Sequence, residues 1–421
     1  MPRTPAEILQ APTPRERWRP STPHHVRGYE FGVAGYPLLD KKKCDLPIPV
    51  WLWSTPAEAG TSHPPPERTC PIAETDTATG ALLDLSSTLE ASLYRLMKKP
   101  IVIAIMTSNK IDYIPKIVVC GSCSVDFTTY APRLPNHGET LHGTKFVTSF
   151  GGKGANQCIA AARLGGNTYM ISRVGDDQWG QKYKDNLKTA GVDVTHVYNT
   201  HNVTTGIAQI TVAESGQNQI VIVLGANGHL SKTDVEKSKE LIITADVLIG
   251  QLETPFETTL EAFKINRGLK LLNAAPGRND IQEILPYCSI LCVNESEASI
   301  LANHPVVSVK TAVEAIKKIL ALGCATVIVT LGENGALYAS KNDPPTHVFC
   351  DKVVPVDTTG AGDAFVGALA TYLVSHKDYP LHQIIGAACE VATISVTKEG
   401  TQTSYPTNYT PFTKEYKYET L

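Results

Sequence analysis

Residues 355–370 read PVDTTGAGDAFVGALA, and small and apolar residues continue at helical spacing to about Val374. Gly360, Ala361 and Gly362 therefore stand at the start of a helix. At such an end the first backbone N–H groups lack intrahelical partners, the helix dipole is positive, and glycine lets an anion approach bare backbone. The turn is an anion hole. Asp363 follows it directly, and its charge would repel a merely bound phosphate. It suits a proton acceptor, which takes the proton of an attacking hydroxyl while the amides stabilise a phosphoryl group in transit. A helix cap is the other reading of an aspartate here, since short acceptor side chains are favoured at helix starts.

Upstream, residues 150–157 read FGGKGANQ and again open a helix, AAARL, which closes at Gly165-Gly166. The spacing is neither a P-loop nor G-x-G-x-x-G. Gly151 and Gly152 permit close backbone approach, while Lys153 and Asn156 add one cation and one amide, a set suited to gripping a polyhydroxy ligand. The alternative is a tight strand-to-helix turn capped by Asn156. Around these turns, β-branched runs alternate with Ala/Leu-rich stretches, which predicts a largely parallel sheet. The expected strands are 117–120, 168–174, 247–251, 269–273, 290–294 and 326–331. The expected helices are 156–164, 180–190, 256–266, 295–303 and 313–322. Residues 140–150 and 206–225 (GIAQITVAESGQNQIVIVLG) alternate in strand fashion about Gly216, predicting antiparallel strands set over the sheet as a lid. Asp126, Glu253, Asn294 and the TLGENG run at 330–335 follow predicted strands. In parallel sheets, ligands collect at those carboxyl ends, although a lone carboxylate there is more often simply solvated.

Composition bounds the alternatives. Of 421 residues, 42% are hydrophobic, and 38 Lys+Arg face 41 Asp+Glu for a formal charge of −3, so a large core can form and the basic footprint of a nucleic-acid binder is missing. No apolar run approaches the roughly 18 residues of a membrane span. Ten scattered cysteines suggest reduced thiols, and Cys120 and Cys123 read as core thiols because no second ligand pair stands at zinc spacing. The twelve histidines form no H-E-x-x-H pair. About half of the 28 prolines precede residue 101, so residues 1–110 read as a disordered Pro-rich extension with one possible amphipathic helix at 82–97. No secretory or transit pattern can be drawn in it, which points to the cytoplasm, with the nucleus also open.

Nine segments in order, GSCSVDF, GGKGANQ, AARLG, VGDD, QLE, NESE, TLGENG, VDTTGAGDAFVGALA and GTQTSYP, make residues 116–412 resemble the phosphofructokinase-B-like (ribokinase) sugar kinase family, and within it the ribokinases. The resemblance implies an α/β fold: a Rossmann-like, largely parallel sheet flanked by helices with a small antiparallel β lid at about 127–150 and 203–225. It implies ATP-dependent phosphorylation of D-ribose at the 5-hydroxyl, with Asp363 as base and Gly360, Ala361 and Gly362 as the anion hole. Ribose would be held by Ser124, Asp126, Gly152, Lys153, Gly154, Asn156 and Glu253. The nucleotide would lie against Asn294, Thr330, Leu331, Gly332, Glu333, Asn334, Gly335, Gly362 and Cys389.

Glu297 of the N-x-x-E motif would place Mg²⁺ through water. Asp357, Thr359, Ser395, Lys398, Gly400 and Ser404 would hold a monovalent cation such as K⁺, several of them by backbone carbonyls. Ser124 and Cys389 depart from the family, which often has Asn at both positions. An aspartate near its ordinary pKa would be ionised at neutral pH, so position is expected to matter more than tuning. The family also implies a homodimer through the lid. A related kinase acting on another sugar or a nucleoside, or a non-catalytic sugar or nucleotide sensor, are the alternatives.

Overall fold

The computed structural model describes residues 113–421, all within one compact unit; the Pro-rich extension and its proposed helix at 82–97 lie outside the described residues. In chain order the strands are β1 (Lys116–Cys120), β2 (Ser124–Ala131), β3 (Lys145–Gly151), β4 (Asn167–Gly175), β5 (Val197–Thr200), β6 (Gly206–Ala213), β7 (Asn218–Val223), β8 (Val247–Gly250), β9 (Leu269–Asn273), β10 (Ile290–Asn294), β11 (Thr326–Thr330), β12 (Ala336–Ser340), β13 (Thr346–Val348) and β14 (Tyr418–Thr420). The helices are α1 (Lys153–Arg163), α2 (Gln178–Thr189), α3 (Lys232–Lys237), α4 (Lys239–Ile243), α5 (Phe256–Ile265), α6 (Glu295–Ala302), α7 (Val309–Ala321), α8 (Ala361–Ser375) and α9 (Leu381–Ser395).

Ten strands form one sheet in the order β14-β13-β12-β11-β10-β9-β8-β1-β4-β5. Pairing is parallel from β5 to β11 and antiparallel from β11 to β14. The central strands are buried on both faces, which explains why they read as continuous apolar runs. Alternate residues feed two cores. Ile117, Val119, Val247, Ile249 and Ile328 pack with α1, α2, α8 and α9, whereas Val118, Cys120, Leu248, Leu291 and Val329 pack with α5, α6 and α7.

A second sheet, β3-β2-β6-β7, forms the lid. β2 with β3 and β6 with β7 are antiparallel, and the two hairpins join through a parallel β2–β6 pairing. Among the described residues no helix is long and apolar enough to cross a membrane.

Where the structure departs from the expected elements, local chemistry explains it. α1 begins at Lys153 rather than Asn156, because Gly152 at φ +90° makes the turn; a Cβ there would lie 2.8 Å from the Ser124 amide nitrogen. Asn156 is therefore not the cap. α7 starts at Val309 because Ser308 and Thr311 form a reciprocal capping box. α9 was not foreseen: its core face includes Ile384, Ile385, Ala388 and Val391, and apolar residues on its other sides blur the helical stripe.

Candidate active site

The two glycine turns meet because their helices pack at backbone distance. Gly367 of α8 faces α1 so closely that a Cβ would stand 2.6 Å from the Gln157 carbonyl oxygen and from the Ala160 Cβ. The small residues Ala160, Ala161 and Ala364 complete this seam. Its consequence is chemical: Asn156 Nδ2 and Gln157 Nε2 each donate to the Asp363 carboxylate, at 2.9 Å to Oδ2 and Oδ1 respectively.

Asp363 is the third residue of α8, whose N-cap is Gly360 at φ +77°. It does not cap the helix. Its side chain is spent on the two α1 amides, and it is buried, at 7% exposure. Burial pushes its carboxyl above the ordinary range; the Lys153 ammonium and the two amide donors oppose this, and Glu253 adds to it. The expectation of an unperturbed aspartate is therefore corrected. A charge-accepting hydrogen bond contributes about 1.5–3 kcal/mol, so two donors plus a cation offset much of the desolvation. Lys153 is disfavoured as a cation by burial, but Asp363, Glu253 and Glu297 around it outweigh that and raise its pKa.

A hollow of about 180 Å³ is walled by Lys153, Gly360, Ala361, Gly362, Asp363, Asn294, Glu297 and Thr330. An adjoining cavity of about 390 Å³ shares Asn294, Thr330, Ala361 and Gly362 and runs on to Gly332, Glu333, Gly335 and Cys389. Both turns thus border one continuous depression at the carboxyl ends of β10 and β11. Within the turn, the Ala361 amide donates to the Thr358 carbonyl at 3.3 Å, and the first helical bond runs from Ala364 N to Gly360 O. The amides of Gly362 and Asp363 are the first-turn donors left for an anion.

The remaining candidates separate. Glu253 accepts from the Lys153 amide at 2.9 Å and the Ser122 hydroxyl at 2.6 Å, which ties the end of β8 to the GGKG turn. Asp126 is wedged against Gly151, and its carboxyl is pushed up to about 7 by burial and by the nearby charges of Glu253 and Asp363. Asp126, Glu253 and Asp363 thus form a group of neighbouring carboxylates. Gly154 packs at backbone distance from Ser122: a Cβ there would lie 2.5 Å from the Ser122 amide nitrogen. Ser124 Oγ accepts from Asn227 Nδ2 at 3.2 Å.

Asn294 and Glu297 form the capping box of α6, which accounts for the N-x-x-E spacing while leaving both on the hollow's wall. Leu331 and Asn334 are not on the cavity walls. Leu331 is buried, and the Asn334 carbonyl is engaged by His347. Cys120 and Cys123 are buried thiols pushed up to about 12, as core cysteines should be.

Behind the turn, Asp357 accepts from the Thr359 amide at 2.9 Å and the Gly400 amide at 3.0 Å, pinning the 357–359 and 395–404 segments together. Asp357 thereby brings one carboxylate to the segment that also carries Ser395 and Ser404, oxygen donors of the hard kind. Among the described residues no cluster of three or more His, Cys, Asp or Glu side chains could hold a metal by itself.

Three residues without an assigned sequence role belong to the site. Gln157 holds Asp363. Gln402 donates to Asn156 Oδ1 at 2.9 Å, and Asn227 accepts from the Cys123 amide at 2.8 Å. Gln157 and Gln402 lie inside the motifs GGKGANQ and GTQTSYP, so proximity in sequence was their one signal.

Residues 114–408 fit the sequence profile of the pfkB family carbohydrate kinases. The chain belongs to the pfkB family of carbohydrate kinases. Among relatives of this pfkB kinase, the mouse ribokinase is 44% identical over 295 residues, covering 69% of this chain and 91% of that protein. A deoxyribokinase of Salmonella typhimurium is 37% identical over 296 residues, covering 69% and 95%. The solved structure of Arabidopsis thaliana ribokinase complexed with ribose and ATP superposes with a TM-score of 0.64 at 30% identity, over 70% of this chain and 97% of that one. The fold expected for the family, a mostly parallel sheet between helices with a separate small sheet, is the fold present.

Proposed function

We propose that this kinase transfers the γ-phosphoryl group of ATP to the 5-hydroxyl of D-ribose, giving D-ribose 5-phosphate and ADP. The observation that carries the reading is the shared hollow: Asp363, the Gly360 turn and Lys153 border one space that is continuous with the larger cavity. The ribokinases among its relatives support the choice of sugar. The larger cavity takes the nucleotide, with its phosphates toward Gly362. Ribose lies under the lid, where Asp126 and Glu253 accept from adjacent hydroxyls and Asn156, Lys153 and Gly152 line its approach. Asp363 takes the proton of the attacking hydroxyl. The Gly362 and Asp363 amides and the Lys153 ammonium stabilise the charge that spreads over the transferred group. The lid excludes water that would otherwise accept the phosphoryl group.

Mg²⁺ would accompany ATP, held mainly by phosphate oxygens and waters, with Glu297 as its nearest protein carboxylate. A monovalent cation such as K⁺ at Asp357, Thr359, Ser395, Lys398, Gly400 and Ser404 would order the anion-hole turn. The Ser395 carbonyl already accepts from the Lys398 amide at 3.3 Å, so that loop is curled in advance. We also read the lid as a dimer surface, because residues 220–224 of and beside β7 are 49–66% exposed and Phe146 on β3 is 60% exposed. Cytoplasmic residence belongs to the same proposal.

Replacing Asp363 with Asn tests the assignment. Turnover with ribose and ATP is expected to fall by about 10² or more while the fold persists. Retention of over a tenth of normal turnover would remove Asp363 from the base role.

A further inference from the structure

A further cavity stands apart from the catalytic hollow. About 510 Å³ in volume, it lies between β3, α1, α2 and the 401–408 segment, and shares no lining residue with the hollow. Its lining holds one ionisable side chain, Arg163, amid hydroxyls and amides. Arg163 Nη1 is tethered to the carbonyls of Tyr405 at 2.9 Å and Thr403 at 3.4 Å. A guanidinium has five N–H groups in a fixed fork, so Nε and Nη2 remain for an anion. Among the described residues no carboxylate lies in ion-pair range of Arg163, and burial pushes its pKa down, as expected of a cation short of a counter-charge.

The cavity wall also leads to the catalytic carboxylate. Asn186 Nδ2 donates to Gln402 Oε1 at 2.9 Å, Gln402 Nε2 to Asn156 Oδ1 at 2.9 Å, and Asn156 Nδ2 to Asp363 Oδ2 at 2.9 Å. Asn186 and Gln402 are themselves wall residues. An anion bound to Arg163 competes for the Asn186 amide, and each amide further along the chain then loses the partner that orients it.

We propose that this cavity is a regulatory site for a small phosphate monoester carrying hydroxyl groups, and that its occupancy slows phosphoryl transfer by loosening Asn156 from Asp363. Arg163 reads the phosphate, and Ser149, Thr189 and Thr407 offer hydroxyls to a polyol. The inhibition, which rests on the kinase reading, lowers kcat and is not relieved by saturating ribose or ATP.

The test measures initial rates of the full chain at saturating ribose and ATP with D-ribose 5-phosphate, glucose 6-phosphate or inorganic phosphate added. Glucose 6-phosphate reports on the phosphate monoester class apart from the product, and an equal effect of inorganic phosphate would identify the phosphate group alone as what is read. The sugar phosphates are expected to lower kcat about fivefold, a common size for coupling between sites. Thr407→Leu fills the rim, where Thr407 is exposed and outside the catalytic hollow, and is expected to abolish the effect while uninhibited turnover stays within about twofold. Arg163→Gln is expected to abolish it as well.

Inhibition that is purely competitive with ribose, or that survives in both variants, would overturn the proposal. Calorimetric titration of glucose 6-phosphate into wild type and Thr407→Leu keeps the two readings apart. Binding lost in the variant supports the site even if ribose proved not to be the substrate, and binding weaker than about 1 mM in wild type would overturn it.

Discussion

Asp126→Asn should make the protein more stable and less able to use ribose, and the gain should depend on pH. The Asp126 carboxyl is pushed from 3.8 to about 7 by burial and by Glu253 and Asp363, so at neutral pH the fold holds a charge it disfavours. Below about pH 4 the group is neutral in both the folded and unfolded chain and contributes no difference. Between 4 and 7 the unfolded chain binds fewer protons than the folded one, so stability falls as pH rises, and the loss is complete above about 7. Each tenfold in proton affinity is worth about 1.36 kcal/mol, which sets an upper bound of about 4 kcal/mol. Asp126 is partly exposed and solvent screens its charge, so about 1–2 kcal/mol is the expected size. An asparagine fits the same space and carries no charge. Urea unfolding of the substrate-free enzyme at pH 8.5 should therefore show the variant more stable by that amount, with the difference shrinking as pH falls and vanishing below about pH 4. Its KM for ribose should rise by about tenfold or more, because a charged acceptor for sugar hydroxyls is lost. A stability difference independent of pH, or a destabilised variant at pH 8.5, would refute the electrostatic argument.

Two further changes probe the turn and the base. Gly360→Ala should lower Tm by several degrees and cut kcat/KM for ATP, because φ is +77° and the new Cβ would lie 2.3 Å from Thr401 Cγ2; circular dichroism melting and initial rates check this. Gln157→Leu removes a donor to the ionised Asp363, so the carboxyl should titrate higher and the acidic limb of the kcat–pH profile should move up by about one pH unit. An unmoved limb would mean that Gln157 does not tune Asp363.

Much of the parallel sheet was legible because its strands are buried on both faces and read as short apolar runs; 269–273 and 290–294 fall on β9 and β10 to the residue. The three antiparallel strands β12 to β14 were not. β13 and β14 have only three residues each, too few to display a period. The two glycine turns were legible as anion-facing helix starts, since local rules determine them. The partners of Asp363 were not, because the contact between α1 and α8 joins positions more than two hundred residues apart through Gly367, which marks close packing only once both helices are in place. The NESE run carried two meanings at once, a capping box and a cavity wall, and spacing alone cannot separate them.

The proposed reaction moves a phosphoryl group from the nucleotide cavity across the Gly360 turn to a hydroxyl beside Asp363. The most direct measurement is nuclear magnetic resonance of the full chain with ATP, Mg²⁺, K⁺ and ribose labelled with ¹³C. A phosphate monoester resonance should grow in step with ADP, with phosphorus coupling at C5 of the sugar and little inorganic phosphate. ATP left intact, phosphate released to water alone, or coupling at another carbon would contradict it.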